Sequence, residues 1–323
     1  MKSRIHLADL CPHCDANDCN IYNSSAEMRR VKMSKVKIMT DSNSGITQDQ
    51  GRALGVEVVP MPFFIDETQY FEDISMSQKD FYQALLDDKV NVSTSQPSPE
   101  AVMEVWTKLL SEYDEIVHIP MSSGISSSCA TASMLAGEDE FAGRVFVVDN
   151  QRISVTQRRS VLQAKELADR GYSGKEIYDI LMRDKFQSSI YIMVDTLKYL
   201  RKGGRLTPAV AAIGTVLRIR PVLQIQGERL DSYAKVKTLK QAKSTMIKAV
   251  ASDLENRFAD CGDMYIDIAH TQNREEAEQF REELLQAFPG HDIYIDDLSL
   301  SVSCHIGPGA LAAAISNVPR ELR

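Results

Sequence analysis

Glu115-Ile116-Val117-His118-Ile119-Pro120-Met121-Ser122-Ser123-Gly124-Ile125-Ser126-Ser127-Ser128-Cys129-Ala130-Thr131-Ala132-Ser133-Met134-Leu135-Ala136 reads as a strand, a polar loop and a helix in immediate succession. Glu115–Pro120 is short, apolar and rich in β-branched residues, as a buried strand requires. Ser122–Ser126 breaks that pattern with hydroxyls and a glycine, and Ser127–Ala136 continues as a helix. Working outward, the same order recurs. Val36–Met39 is a buried strand, Thr40-Asp41-Ser42-Asn43-Ser44-Gly45 the polar turn behind it, and Thr47–Leu54 the helix. Val56–Phe64 returns as a strand interrupted by Pro60 and Pro62. Ser77, with Asp80 three residues on, opens an amphipathic helix to Asp87. Ser98 as N-cap and Pro99 at the first helical position open another, running to about Glu112. Arg144–Val148 is a further strand, followed by helices near Val155–Arg170 and Ser173–Lys185. This rhythm predicts an α/β domain over residues 35–185, a three-layer αβα arrangement with a parallel sheet. Right-handed crossovers place its strand-to-helix loops along one edge.

Beyond residue 186 the pattern changes. Ser189–Val194, Val222–Ile225, Leu230–Lys237, Met264–Ala269 and Asp292–Ser299 read as strands, with a hairpin at Gly227. Helices are expected at Thr207–Arg218, Leu239–Phe258, Asn273–Ala287 and Gly309–Ile315. That predicts a second, two-layer α/β domain with a mixed sheet over residues 186–323. Two domains also suit 323 residues, a length above which one core seldom keeps growing.

With 43% hydrophobic and 25% charged residues, the composition excludes collagen-like, disordered and disulfide-scaffold classes. The balance 37 − 45 = −8 gives no global attraction to nucleic acid or to an anionic membrane. The longest apolar candidate, Ala209 to Leu217, falls far short of the roughly 18 residues that span a bilayer. Lys2 and Arg4 are not followed by an apolar run, so no secretory signal is read there. Cys11-Pro12-His13-Cys14 has metal-ligand spacing that Cys19 or His6 could complete, but no second such pair follows. Residues 1–34 are therefore expected to be a disordered tail, with Met28 and Met33 as alternative starts and no metal bound. Cys129, Cys261 and Cys304 are scattered, which fits a reduced, cytoplasmic setting.

Polar groups converge in three loops: Asp41–Ser44, Ser93–Ser98 and Met121–Ser128. In an open parallel sheet the first and third face one crevice beyond the strand ends. Helix-start N–H groups with hydroxyls beside them suit an anionic head group. Neither G-x-x-x-x-G-K-[ST] nor G-x-G-x-x-G is present, so no nucleotide cradle and no cofactor are expected. A site of hydroxyls with at most one or two cations suits a carboxylate better than a polyphosphate. The bland alternative is that these loops only cap helices. No G-x-S-x-G elbow marks a nucleophile, and no catalytic residue is nominated. His118 reads as a core histidine, and His270 ends a strand. His305, before Gly307-Pro308-Gly309 and an expected helix, is placed to donate a hydrogen bond to a carboxylate, more strongly if protonated.

Six motifs follow one another: Thr40-Asp41-Ser42, Ser93-Thr94-Ser95-Gln96-Pro97-Ser98, Ser122-Ser123-Gly124-Ile125-Ser126, Tyr199-Leu200-Arg201-Lys202-Gly203-Gly204-Arg205, Arg220-Pro221-Val222-Leu223 and His305-Ile306-Gly307-Pro308-Gly309-Ala310-Leu311. In that order they resemble the DegV family, the fatty-acid-binding subunits of bacterial fatty acid kinase, from about residue 36 to the C-terminus. The resemblance implies a two-domain α/β protein that encloses one long-chain fatty acid and performs no chemistry itself. It would present the carboxylate to a separate ATP-dependent kinase subunit with a dihydroxyacetone-kinase-like domain, which forms acyl phosphate for phospholipid synthesis. Ser93, Thr94, Ser122, Ser123 and His305 are the implied carboxylate contacts. Arg205 and Lys237 are the implied partner-facing cations, and the helix Thr207–Arg218 is an implied tunnel wall. Ser127 replaces a glycine common in the family, Asn150 a serine, and Ser93 a frequent threonine, which bears on chain-length preference. The alternative without the family is a stand-alone phosphotransferase or hydrolase acting on a small carboxylate or sugar in the same crevice.

Overall fold

Thirteen strands in three sheets, with helices between them, make up the described part of the chain. The computed structural model describes residues 34–323 apart from Asp73, residues 212–218 and Arg229. The first sheet is parallel and four-stranded, built from β1 (Val36–Asp41), β2 (Glu57–Val59), β6 (Glu115–Ile119) and β7 (Val145–Val147) in the order β2-β1-β6-β7. A small antiparallel sheet is formed by β3 (Pro62–Ile65), β4 (Thr68–Phe71) and β5 (Val92–Thr94). The third is mixed and six-stranded: β8 (Ser188–Met193), β9 (Arg220–Ile225), β10 (Leu230–Val236), β11 (Met264–His270), β12 (Tyr294–Asp297) and β13 (Leu311–Asn317), ordered β10-β9-β8-β13-β11-β12.

Alternation along the strands divides the cores. Met39 and Ile116 pack with Trp106 and Cys129 beneath the helices Pro99–Leu110 and Ser128–Leu135. Their neighbours Ile38 and Val117 face the other way, toward Val161 and Leu167 of Ser154–Asp169 and Ile177 of Gly174–Arg183. A parallel sheet buried on both faces in this way gives the three expected layers. In the mixed sheet, Met193, Val222, Ile268 and Ala313 pack beneath the helices Leu239–Ser252 and Arg274–Ala287. Ile190, Ile192, Leu223, Ala269 and Ala312 occupy the opposite face, against Met61, Met121, Ile153 and Val155 from the first half of the chain. Buried polar bonds staple the halves. Arg159 donates to both oxygens of Asp267, at 2.9 and 2.6 Å, and its guanidinium lies 4.0 Å from the Tyr265 ring centre. The buried Arg152 donates to Asn317 Oδ1 at 2.7 Å, and Gln163 to the Asn317 carbonyl at 2.7 Å.

Three expectations change. Gly309–Ile315 is not a helix: β13 occupies Leu311–Asn317, all buried, between β8 and β11. Alanine favours helices, but an apolar run covered on both faces is equally a central strand, and its pairing on both edges decides the matter. His305 accordingly ends the helix Leu300–Ile306 and precedes a strand. Val56–Phe64 splits at Pro60, so that β2 and β3 belong to different sheets. Of Thr207–Arg218, the turn Pro208–Ala211 is helical, and residues 212–218 lie outside the described residues, as does the N-terminal stretch with its cysteine motif.

Candidate functional site

The first loop is a scaffold. Asp41 is fully buried at the end of β1; its Oδ2 accepts from the Met121 N–H at 2.8 Å, and its Oδ1 accepts from the Asn43 N–H at 3.0 Å and Gln157 Nε2 at 3.2 Å. Burial pushes its carboxyl up to about 6 against the pull of those donors. Ser42 Oγ accepts from the Met61 N–H, and Ser44 Oγ donates to the Asp41 carbonyl. Asn43 reaches across to the other half, where Ser299 and Ser301 both donate to its Oδ1.

This scaffold frames a cavity of about 610 Å³ between the second face of the mixed sheet and the loops of the parallel sheet. Its inner wall is apolar, with Ile190, Ile192, Ala269 and Ala312 from the sheet and Ile153 and Val155 opposite. The two alanines leave the space that larger residues would fill. The other end is polar and lined by Thr94, Ser95, Gln96, Ser126, Ser127, Arg205 and His305. Gly124 closes the loop onto the β9–β10 hairpin: a Cβ there would collide with the Glu228 backbone.

Thr94 and His305, far apart in sequence, meet here, with Oγ1 and Nε2 at 2.8 Å. Burial, then the Arg205 charge, pushes His305 down to about 4 and leaves a neutral ring at pH 7. Its Nδ1 is buried without a partner. The imidazole tautomer sets the direction of this bond: with the proton on Nε2 the ring donates to Thr94 Oγ1, which frees the threonine O–H for a ligand oxygen, and with it on Nδ1 the threonine donates to the ring. The neutral ring differs from the protonated donor weighed in the sequence, and desolvation is the reason.

The other expected contacts lie elsewhere. Ser93 is exposed, because alternation along β5 turns Thr94 inward and Ser93 out. Ser122 is buried, and its Oγ accepts from the Gly124 N–H. Ser123 Oγ donates to Asp149 at 2.8 Å. None of these three lines the cavity. Ser126 does; its Oγ accepts from the Ser128 N–H and keeps its own proton for the cavity. Sequence reading passed over Ser126, Ser127, Gln96 and Asn43, although all lie in the loops it singled out. Arg205 is exposed at the cavity mouth and donates to the Gly203 carbonyl at 2.6 Å. Lys237 is exposed after β10, away from the cavity lining. Among the described residues no cluster of three or more His, Cys, Asp or Glu side chains could hold a metal, and no helix is long and apolar enough to cross a membrane.

Comparison with known proteins agrees with this architecture. A DegV domain-containing protein of Deinococcus radiodurans is 30% identical over 280 residues, covering 87% of this chain and 98% of that protein. A DegV family protein of Thermus thermophilus, described for fatty acid binding, superposes with a TM-score of 0.80 at 28% identity, over 88% of this chain and 100% of the other. Bacillus subtilis DegV, described as a fatty acid binding protein, gives 0.76 at 27% identity over 88% and 100%. The family model described as "Uncharacterised protein, DegV family" matches residues 35–318, the span that contains all three sheets and every residue of the cavity, and this chain is a member of the DegV family.

Proposed function

We propose that the chain binds one long-chain fatty acid, with the acyl chain along the apolar wall and the carboxylate at the Thr94–His305 end. The observation that carries this reading is a cavity of about 610 Å³ with an apolar wall and with Thr94, Ser126 and His305 among its polar lining. Burial of about 14 methylenes contributes a gross ~11 kcal/mol, from which ordering and association costs are subtracted. The carboxylate is costly to bury unless several donors meet it. Thr94 and Ser126 supply hydroxyls, with His305 beside them. Ser122 and Ser123 shape the loop that carries Ser126, and Ser93 faces the outside beside the mouth. The bound acid would be presented to a separate ATP-dependent kinase subunit with a dihydroxyacetone-kinase-like domain, with Arg205 and, further off, Lys237 facing that partner. The chain itself would carry out no reaction, need no cofactor and act in the cytoplasm.

Organic extraction of the purified protein followed by mass spectrometry should recover fatty acid. A protein that is isolated empty and takes up no added palmitate would overturn the reading. Thr94→Val keeps the shape, removes the donor and should weaken retention about tenfold or more. Arg205→Ala should keep its lipid but slow acyl phosphate formation with the kinase; an emptied cavity instead would assign Arg205 to the ligand.

A further inference from the structure

One polar group in the cavity belongs to neither the head-group end nor the scaffold. Ser154 opens the sixteen-residue helix Ser154–Asp169, is only 6% exposed, and lines the cavity between Ile153 and Val155, both in the apolar cluster of the inner wall. Unlike Ser42, Ser44, Ser122, Ser123 and Ser126, whose hydroxyls are engaged by the protein, the Ser154 hydroxyl has no partner. Its backbone is also unusual. Ser154 has φ of +54° and Gln151 +58°, left-handed values that a non-glycine residue seldom adopts and that cost energy to hold. An N-terminal helix position adds the positive end of the helix dipole to the same spot.

The Ser154 hydroxyl is unpaired and open to the cavity beside an apolar wall, so it is available to a ligand that bears a polar group at that point. We propose that Ser154 is a second polar contact in the channel and selects for acyl chains bearing an oxygen substituent, a hydroxyl or keto group along the chain, over plain saturated chains. This inference rests on the fatty-acid reading and adds the class of chain to it. The substituent accepts from or donates to Ser154 Oγ, while the carboxylate stays at Thr94 and His305.

The test compares the dissociation constants of stearic acid and of hydroxystearic acids substituted at successive mid-chain carbons, for the full-length protein and for Ser154→Gly. Glycine removes the hydroxyl and accepts the left-handed backbone, so the variant should fold; Ser154→Ala serves as a second variant without the added chain freedom. At least one mid-chain hydroxy acid should bind about five- to tenfold tighter than stearic acid, and both variants should lose that preference while binding stearic acid as well as before. Stearic acid binding as tightly as every hydroxylated isomer, with both variants unchanged, would overturn the inference and leave the fatty-acid reading standing. Loss of stearic acid itself in both variants would place Ser154 in the head-group site and also overturn it. Failure of the unaltered protein to bind any of these acids would overturn the fatty-acid reading.

Discussion

Gly203 leaves room for the His305 imidazole and for little else, since a Cβ there would overlap Nδ1. Its φ of −81° is open to any residue, so only the ring resists substitution. Gly203→Ala should push His305 off Thr94 and weaken fatty acid retention about tenfold with only a small fall in Tm. Unchanged occupancy would show that His305 does not help to hold the ligand. At this scale the sequence was partly legible. Thr94 could be named, together with Ser93, because its motif resembles the DegV family, and His305 also because it stands before a glycine-rich turn. Ser126 could not be separated from Ser122, Ser123, Ser127 and Ser128, because five hydroxyls in seven residues carry no periodicity and only the folded loop decides which are spent on Asp149 or on neighbouring N–H groups.

Between elements, the Met121–Ser128 loop lies close against the β9–β10 hairpin at Gly124 and Glu228, supported by Gln151 Nε2 donating to Glu228 Oε1 at 2.8 Å. Gly124→Ala forces two backbones apart and should cost about 1–3 kcal/mol. Thermal denaturation should show the loss, and lipid retained through purification should fall with it. A variant of unaltered Tm would mean that this closure is not tight. Strand–loop–helix order was legible because buried strands and capped helices differ in length and in their end residues. β13 was not: Leu311-Ala312-Ala313-Ala314-Ile315 suits a helix locally, and only pairing with β8 and β11 selects the strand. The β3–β4 hairpin escaped notice because its turn, with Asp66 at a φ of +52°, lacks the usual glycine.

Acid response belongs to the whole molecule. His118 is buried against Trp106 at 5.7 Å between ring centres, and burial pushes it down to about 3. Its unfolded counterpart takes up a proton near pH 6.5, so acidification through the window from 6.5 to 3 favours the unfolded chain. Asp41, raised to about 6, acts in the opposite direction, as its unfolded carboxyl ionises first as pH rises from about 4. His118→Phe isolates the histidine. Its stability advantage over the unaltered protein should grow by about 2 kcal/mol between pH 7 and pH 5, measured by urea unfolding. A gap that stays constant would mean that His118 titrates normally in the fold.

The staples across the middle of the molecule bear on how cargo gets in and out. A clamshell opening would have to break the Arg159–Asp267 pair and the Arg152–Asn317 contact together. Those contacts favour passage through a local opening with the two halves kept together, and the exposed rim at Arg205 is where such an opening would lie.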